Sequence, residues 1–121
     1  MPSDVRPDGV ATHPYGRGVK GHPFSNFGAL EDELRLYGAV LPGKPVWITE
    51  WGVLGRQGDL SITAQVADYA AGFMQICRTQ VKTPVAACCW YAWADGMDDG
   101  YGLVDSSGQP KPNFCQPFLA L

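Results

Sequence analysis

The sequence predicts an α/β protein on a parallel sheet, with the architecture of a partial (β/α)8 TIM barrel of about three βα units. Three observations carry that expectation. Apolar, strand-like runs alternate with amphipathic helical stretches. The runs begin at Val10, Val46 and Val85, 36 and 39 residues apart. The residues with chemistry to offer, His13, Glu50 and Trp90, fall at or near the C-terminal ends of those runs, each before a long loop. Helices between strands impose parallel crossovers. A period near 40 residues suits a doubly wound sheet as well as a barrel, and the position of the unusual residues decides: the C-terminal rim is where barrels collect catalytic side chains.

The elements follow in order. The first strand is Gly9 to His13, ahead of the turn-rich loop PYGRGVKGHPFSNFG. A helix spans Ala29 to Leu41: Leu30, Leu34, Tyr37 and Leu41 recur at helical spacing, while Glu31, Asp32 and Arg35 face water. Pro42 and Gly43 stop it. The second strand, Pro45 to Glu50, leads into WGVLGRQGDL, and a second helix runs from about Ile62 to Lys82. Its apolar stripe is Val66, Tyr69, Ala70, Phe73, Cys77 and Val81, with Ser61 or Asp59 to cap its start. The third strand is Val85 to Trp93, the loop DGMDDGYG follows, and NFCQPFLAL starts a final helix. All 121 residues belong to one partial domain.

Composition narrows the function. With 45% hydrophobic residues and a net charge of −3 the chain reads as globular. Its nine basic residues are scattered, which argues against nucleic acid as a partner. No apolar stretch approaches the roughly 20 residues of a membrane helix, and MPSDVRPDGV lacks the hydrophobic run of a signal peptide. The compartment is therefore undetermined. Cys77, Cys88, Cys89 and Cys115 show no zinc spacing. They read as small buried thiols, with Cys88 and Cys89 on opposite sides of a strand and a disulfide from Cys115 left open. No metal or cofactor is expected.

The most informative stretch is PVWITEWG, residues 45 to 52, where a carboxylate ends an apolar run between two tryptophans. Such a charge is costly unless paired, solvated or put to use. The bland reading of Glu50 is a structural ion pair. The acidic loop Asp95, Asp98 and Asp99 reads as a solvated turn rather than a calcium site, because D-G-M-D-D-G lacks EF-hand spacing.

Three segments then carry a family likeness. THPYG (residues 12 to 16) is similar to the H-x-Y end of strand six, WITEWG (47 to 52) to the end of strand seven, and CCWYAWADGMDDGYGLVDSSGQPKP (88 to 112) to strand eight with its closing loop. In that order they resemble the C-terminal part of clan-A retaining glycoside hydrolases, closest to the cellulase- and mannanase-like family 5. The resemblance implies hydrolysis of a β-linked carbohydrate with Glu50 as nucleophile. It gives Tyr15 the role of a hydrogen-bond donor to Glu50, His13 that of a substrate contact and Trp90 that of the aromatic floor under a sugar. It also implies a cis Trp90–Tyr91 peptide, with Trp93 and Trp51 as flanking candidates.

One departure limits the expectation. Retaining glycosidases need two carboxyl groups about 5 to 5.5 Å apart, and the family's acid/base N-E-P motif is absent here. Hence the chain is expected to hold the nucleophile but not the proton donor, and to be inactive alone. Three strands also leave open edges, to be covered by another copy or by the remainder of a longer barrel. The competing reading is a non-catalytic carbohydrate-binding or oligomer-forming module. A phosphate-binding doubly wound protein is disfavoured, because Gly16, Gly18 and Gly21 match neither Gly-rich phosphate fingerprint.

Overall fold

The computed structural model describes residues 4–54, 60–98 and 100–119, with backbone alone at 60–64, 113, 116 and 117. The elements run β1 (Val10–Thr12), β2 (Arg17–Gly18), β3 (Gly28–Ala29), α1 (Leu30–Val40), β4 (Val46–Trp51), α2 (Leu60–Thr79), β5 (Val85–Trp90) and α3 (Pro112–Leu119). Strands β1, β4 and β5 form one parallel sheet in chain order, with Val10 beside Val46 and Val46 beside Val85. A proline stands just before β4 and just before β5. The carbonyl of Pro45 accepts from Val10 N and that of Pro84 from Val46 N.

The expected strands and helices are all present, with ends that differ by a few residues. The third strand stops at Trp90 rather than Trp93, and α2 ends at Thr79, which leaves Val81 outside the stripe and 90% exposed. The two-residue parallel pair β2 and β3, with Arg17 beside Gly28, lies inside what reads as loop. Asp59, Asp99 and the side chain of Ser61 lie outside the described residues.

The sheet has two unlike faces. Val46, Ile48 and Trp51 of β4 are buried against Leu30 and Leu34 of α1, Val66, Tyr69 and Phe73 of α2, and Phe114 of α3. At the centre Trp51 stacks on Phe73 with ring centroids 3.9 Å apart and planes 8° from parallel. Its indole N–H is buried without an acceptor among the described residues, so ring contact and burial hold it rather than a hydrogen bond. On the opposite face Ala11, Trp47 and Thr49 are exposed. A doubly wound sheet would cover both faces with helices; here strand order follows chain order and one face stays open.

Parity changes near the end of β4. Strict alternation from Val46 and Ile48 would send Glu50 to the helix side and Trp51 outward. The β4–β5 pairing is irregular between Ile48 and Trp51, and Trp51 turns into the core while Glu50 stays half-exposed. A single irregularity of this kind re-aims a side chain.

The cysteines are free. Cys77 and Cys88 share a hydrogen bond, which together with burial pushes the Cys88 thiol up and keeps it protonated. Cys88 and Cys89 do point to opposite sides, but Cys89 is exposed and is not core filler.

Candidate functional site

Glu50 leaves β4 at the C-terminal end of the sheet, beside the turn after β1. That turn is stiffened by Pro14 and closed by Tyr15 N donating to the His13 carbonyl at 2.9 Å. It brings two side chains to the carboxylate. Tyr15 Oη donates to Glu50 Oε2 at 3.1 Å, and His13 Nδ1 lies 3.5 Å from the same oxygen. His13 Nε2 is 2.9 Å from Thr49 Oγ1. A neutral ring with its proton on Nδ1 satisfies both contacts, accepting from the threonine hydroxyl and facing its N–H to Glu50.

Burial first, and then the hydrogen bond and negative charge of Glu50, push the Tyr15 phenol well above its ordinary value near 10. It therefore remains a donor throughout the neutral range. The turn is anchored from below: Thr12 donates to Glu33 Oε1 at 2.6 Å, Tyr37 to the same oxygen at 2.8 Å, and Arg17 lies 3.5 Å from the other oxygen.

The aromatic side of the site is built by residues that the sequence reading passed over. The Tyr15 ring meets Tyr91 and Tyr101 edge-on at 6.3 and 6.2 Å, and those two rings are 5.8 Å apart. Tyr91 Oη points to Asp98 at 3.4 Å, and desolvation and that carboxylate raise its phenol. Gly52 lets this wall approach. A Cβ there would run into the Tyr91 carbonyl, and Tyr91 N donates to the Trp51 carbonyl at 2.7 Å. The cis peptide lies between Tyr91 and Ala92, one residue beyond the expected Trp90–Tyr91 bond.

Trp90 is turned away from this wall. Its register with Trp51 sends both indoles to the helix side, where the Trp90 ring lies 4.9 Å from Trp51 and 4.5 Å from Phe118. Its Nε1 donates to the Tyr101 carbonyl at 3.2 Å. Trp51 is buried and Trp93 is 65% exposed in the following loop. So His13, Tyr15 and Glu50 are brought together and Trp90 is not. The signal that could have found Tyr91 is its place beside Trp90, with opposite parity.

Asp95 is not part of a solvated turn. Its carboxylate is held by Lys111 Nζ at 2.9 and 3.1 Å and by Gly102 N at 2.9 Å. Both side chains are below 10% exposed, at 7% and 8%, and Lys111 also sits 4.3 Å from the centre of the Phe114 ring. Asp105 ties the next turn by accepting from Ser107 and Gln109, and the Ser107 hydroxyl first among these donors lowers its carboxyl. Among the described residues no three His, Cys, Asp or Glu side chains gather to hold a metal, and no helix is long and apolar enough to cross a membrane.

The sequence matches no protein-family profile and no curated protein. One solved structure is similar: endo-1,4-beta-D-xylanase 10B of Clostridium thermocellum, its CBM22-1 and GH10 modules in complex with xylohexaose. The superposition has a TM-score of 0.58 at 25% identity and covers 89% of this chain but 22% of that one. The fold is thus similar to part of a glycoside hydrolase, and the chain spans about a fifth of that protein's length.

Proposed function

We propose that this chain carries the nucleophile-bearing part of a retaining β-glycosidase, its sheet being the last three strands of a (β/α)8 barrel. The observation that carries the reading is the contact of Tyr15 Oη with Glu50 Oε2 at 3.1 Å, beside His13 and an aromatic wall. A nucleophilic carboxylate must stay ionised and accessible; a phenol held protonated and a hydroxyl-anchored imidazole supply hydrogen bonds to its charged form. The likeness to a xylanase bound to xylohexaose supports a β-linked carbohydrate as substrate. His13 contacts that substrate, Tyr91 replaces Trp90 as the aromatic floor, and Trp93 flanks it.

In the reaction the Glu50 carboxylate bonds to the anomeric carbon as the glycosidic C–O bond breaks, and water then cleaves the glycosyl ester. Among the described residues the direct partners of Glu50 are Tyr15 and His13, not a second carboxyl group. Neither partner is the acid that protonates an ordinary leaving group, and in this reading the described residues act without it, a loss of about 10²–10⁴-fold in rate. The open face with Trp47, 47% exposed, is covered by a second copy or by the remaining barrel strands.

A dinitrophenyl β-glycoside, whose phenolate leaves with the bonding pair and needs no proton, tests this. The chain is expected to release phenolate and gain one glycosyl mass on Glu50, to leave unactivated polysaccharide intact, and to lose both signals in Glu50→Gln. Release by Glu50→Gln at the unaltered rate would refute the nucleophile. The competing carbohydrate-binding reading is favoured by the same missing carboxyl group, and it predicts sugar binding with no adduct.

A further inference from the structure

Helix α1 opens on three acidic residues, Glu31, Asp32 and Glu33, a charge that a helix N-terminus favours. Two of them stay on the surface, with Asp32 pairing to Arg35 within the helix at 2.9 Å. Glu33 does not. Its side chain is 14% exposed, and its two oxygens reach out of the helix to the turn that carries His13 and Tyr15. Oε1 accepts from Thr12 Oγ1 at 2.6 Å, at the residue where β1 ends. Oε2 lies 3.5 Å from Arg17 Nε, at the residue where β2 begins. One carboxylate thus holds both ends of a turn whose middle supplies the phenol and the imidazole that meet Glu50.

Each part of this clamp has its own support. Leu30 and Leu34, on either side of Glu33 in the helix, are fully buried, so the carboxylate is built on the core rather than on a loop. Tyr37, one turn further on, donates to Oε1 at 2.8 Å and lies 3.1 Å from the Thr12 hydroxyl. The β2–β3 pairing sets Arg17 beside Gly28, just ahead of α1, and a Cβ at Gly28 would press on the Arg17 guanidinium at 3.1 Å. Arg17 N closes the turn from its far end by donating to the Pro14 carbonyl at 3.1 Å. The contact that depends on the clamp is sensitive to position. Tyr15 Oη meets Glu50 Oε2 at 3.1 Å, just beyond the usual O–H···O range of about 2.5–3.0 Å. A displacement of a few tenths of an ångström is enough to lose it.

We infer that Glu33 is a positioning residue for the nucleophile: by clamping Thr12 and Arg17 it sets where Tyr15 meets Glu50. It acts through the turn and not on a substrate. The kinetic consequence rests on the nucleophile reading of Glu50, whereas the placement of the phenol does not.

Carbon NMR of the full chain labelled at tyrosine Cζ reads the placement without any substrate, and Tyr15→Phe identifies the Tyr15 signal. Half-buried and held on Glu50, that phenol resists ionisation. Its signal is expected to stay in place from about pH 8 to about pH 11, across the ordinary tyrosine range, and in Glu33→Ala to move to the phenolate position within that window. An unmoved signal in Glu33→Ala overturns the inference. So does an equal movement in Val66→Ala, which loosens the core without touching the turn. Thr12→Val keeps the branched shape and removes one end of the clamp, so it stands in if circular dichroism shows Glu33→Ala unfolded; an unmoved signal there overturns the inference as well. Phenolate release from the dinitrophenyl β-glycoside reads the consequence. Glu33→Ala is expected to lower kcat about tenfold, the scale of one hydrogen bond to a charged group, with KM little changed. In a Tyr15→Phe chain the same substitution is expected to cost about twofold or less, because its route to Glu50 is already cut. Losses that multiply in the double variant overturn the inference. No release from the unaltered chain overturns the nucleophile reading instead, and the tyrosine titration then decides the placement by itself.

Discussion

Two carboxylates stand at the end of this sheet, 45 residues apart in sequence, and they have opposite fates. Asp95, after β5, is sealed: a lysine ammonium takes both of its oxygens, a backbone N–H takes one again, and the pair is more than nine-tenths buried. Glu50, at the end of β4, is 38% exposed and met by a phenol and an imidazole. Asp95 has spent its charge on structure. Glu50 remains open to solvent, which leaves it accessible to something that arrives from outside.

Breaking the sealed pair has the largest expected effect. Lys111→Ala leaves a buried, unpaired carboxylate and should cost about 3–5 kcal/mol in urea unfolding. The double variant Lys111→Met with Asp95→Asn should recover much of that, because removing both charges also removes the cost of burying them. An equally large loss in the double variant would mean that packing, not charge, holds the loop.

Gly52→Ala comes next, at about 1–3 kcal/mol, since its methyl group collides with the Tyr91 carbonyl. It should also weaken sugar binding by moving the aromatic wall. Tyr15→Phe should slow phenolate release by about tenfold, the scale of one hydrogen bond to a charged group, with little change in unfolding. A slowing no greater than that of a distant surface change would remove Tyr15 from the site. The smallest effect is expected where the comparison is sharpest: Glu50→Gln should alter stability by less than about 0.5 kcal/mol while ending adduct formation.

Alkaline pH probes the same contrast. Tyr15 and Tyr69 have phenols raised by burial, Tyr69 to about 12. The folded chain holds protons that the unfolded chain gives up near pH 10, so stability is complete below that and falls as pH rises above it. Tyr15→Phe should make the fall shallower, as read from urea midpoints between pH 9 and 11.

Much of this was legible in the residues because the patterns were strong. The three apolar runs and the stripes of Leu30 and Leu34 and of Val66 to Cys77 follow from periodicity, while the meeting of Tyr15 and Glu50 was implied by the family resemblance of THPYG and WITEWG. What escaped depends on non-local geometry. The irregular pairing after Ile48 changes parity, so an alternation count would bury Glu50 and does not reveal that Trp90 faces α3 while Tyr91 faces the site. The partner of Asp95 is 16 residues away across a turn that only the folded loop closes. The β2–β3 pair is two residues long on each side and leaves no periodic trace, yet it helps to bring Arg17 to Glu33.

The contrast between the two carboxylates can be read directly by titrating the ¹⁵N-labelled chain with a β-1,4-linked xylose oligomer and following its amide signals. The account predicts shifts at Tyr15, Glu50, Gly52 and Tyr91, with Gly102 and Lys111 unmoved. Shifts confined to the Asp95–Lys111 loop or to the open strand face around Trp47, with Glu50 and Tyr15 silent, would contradict it.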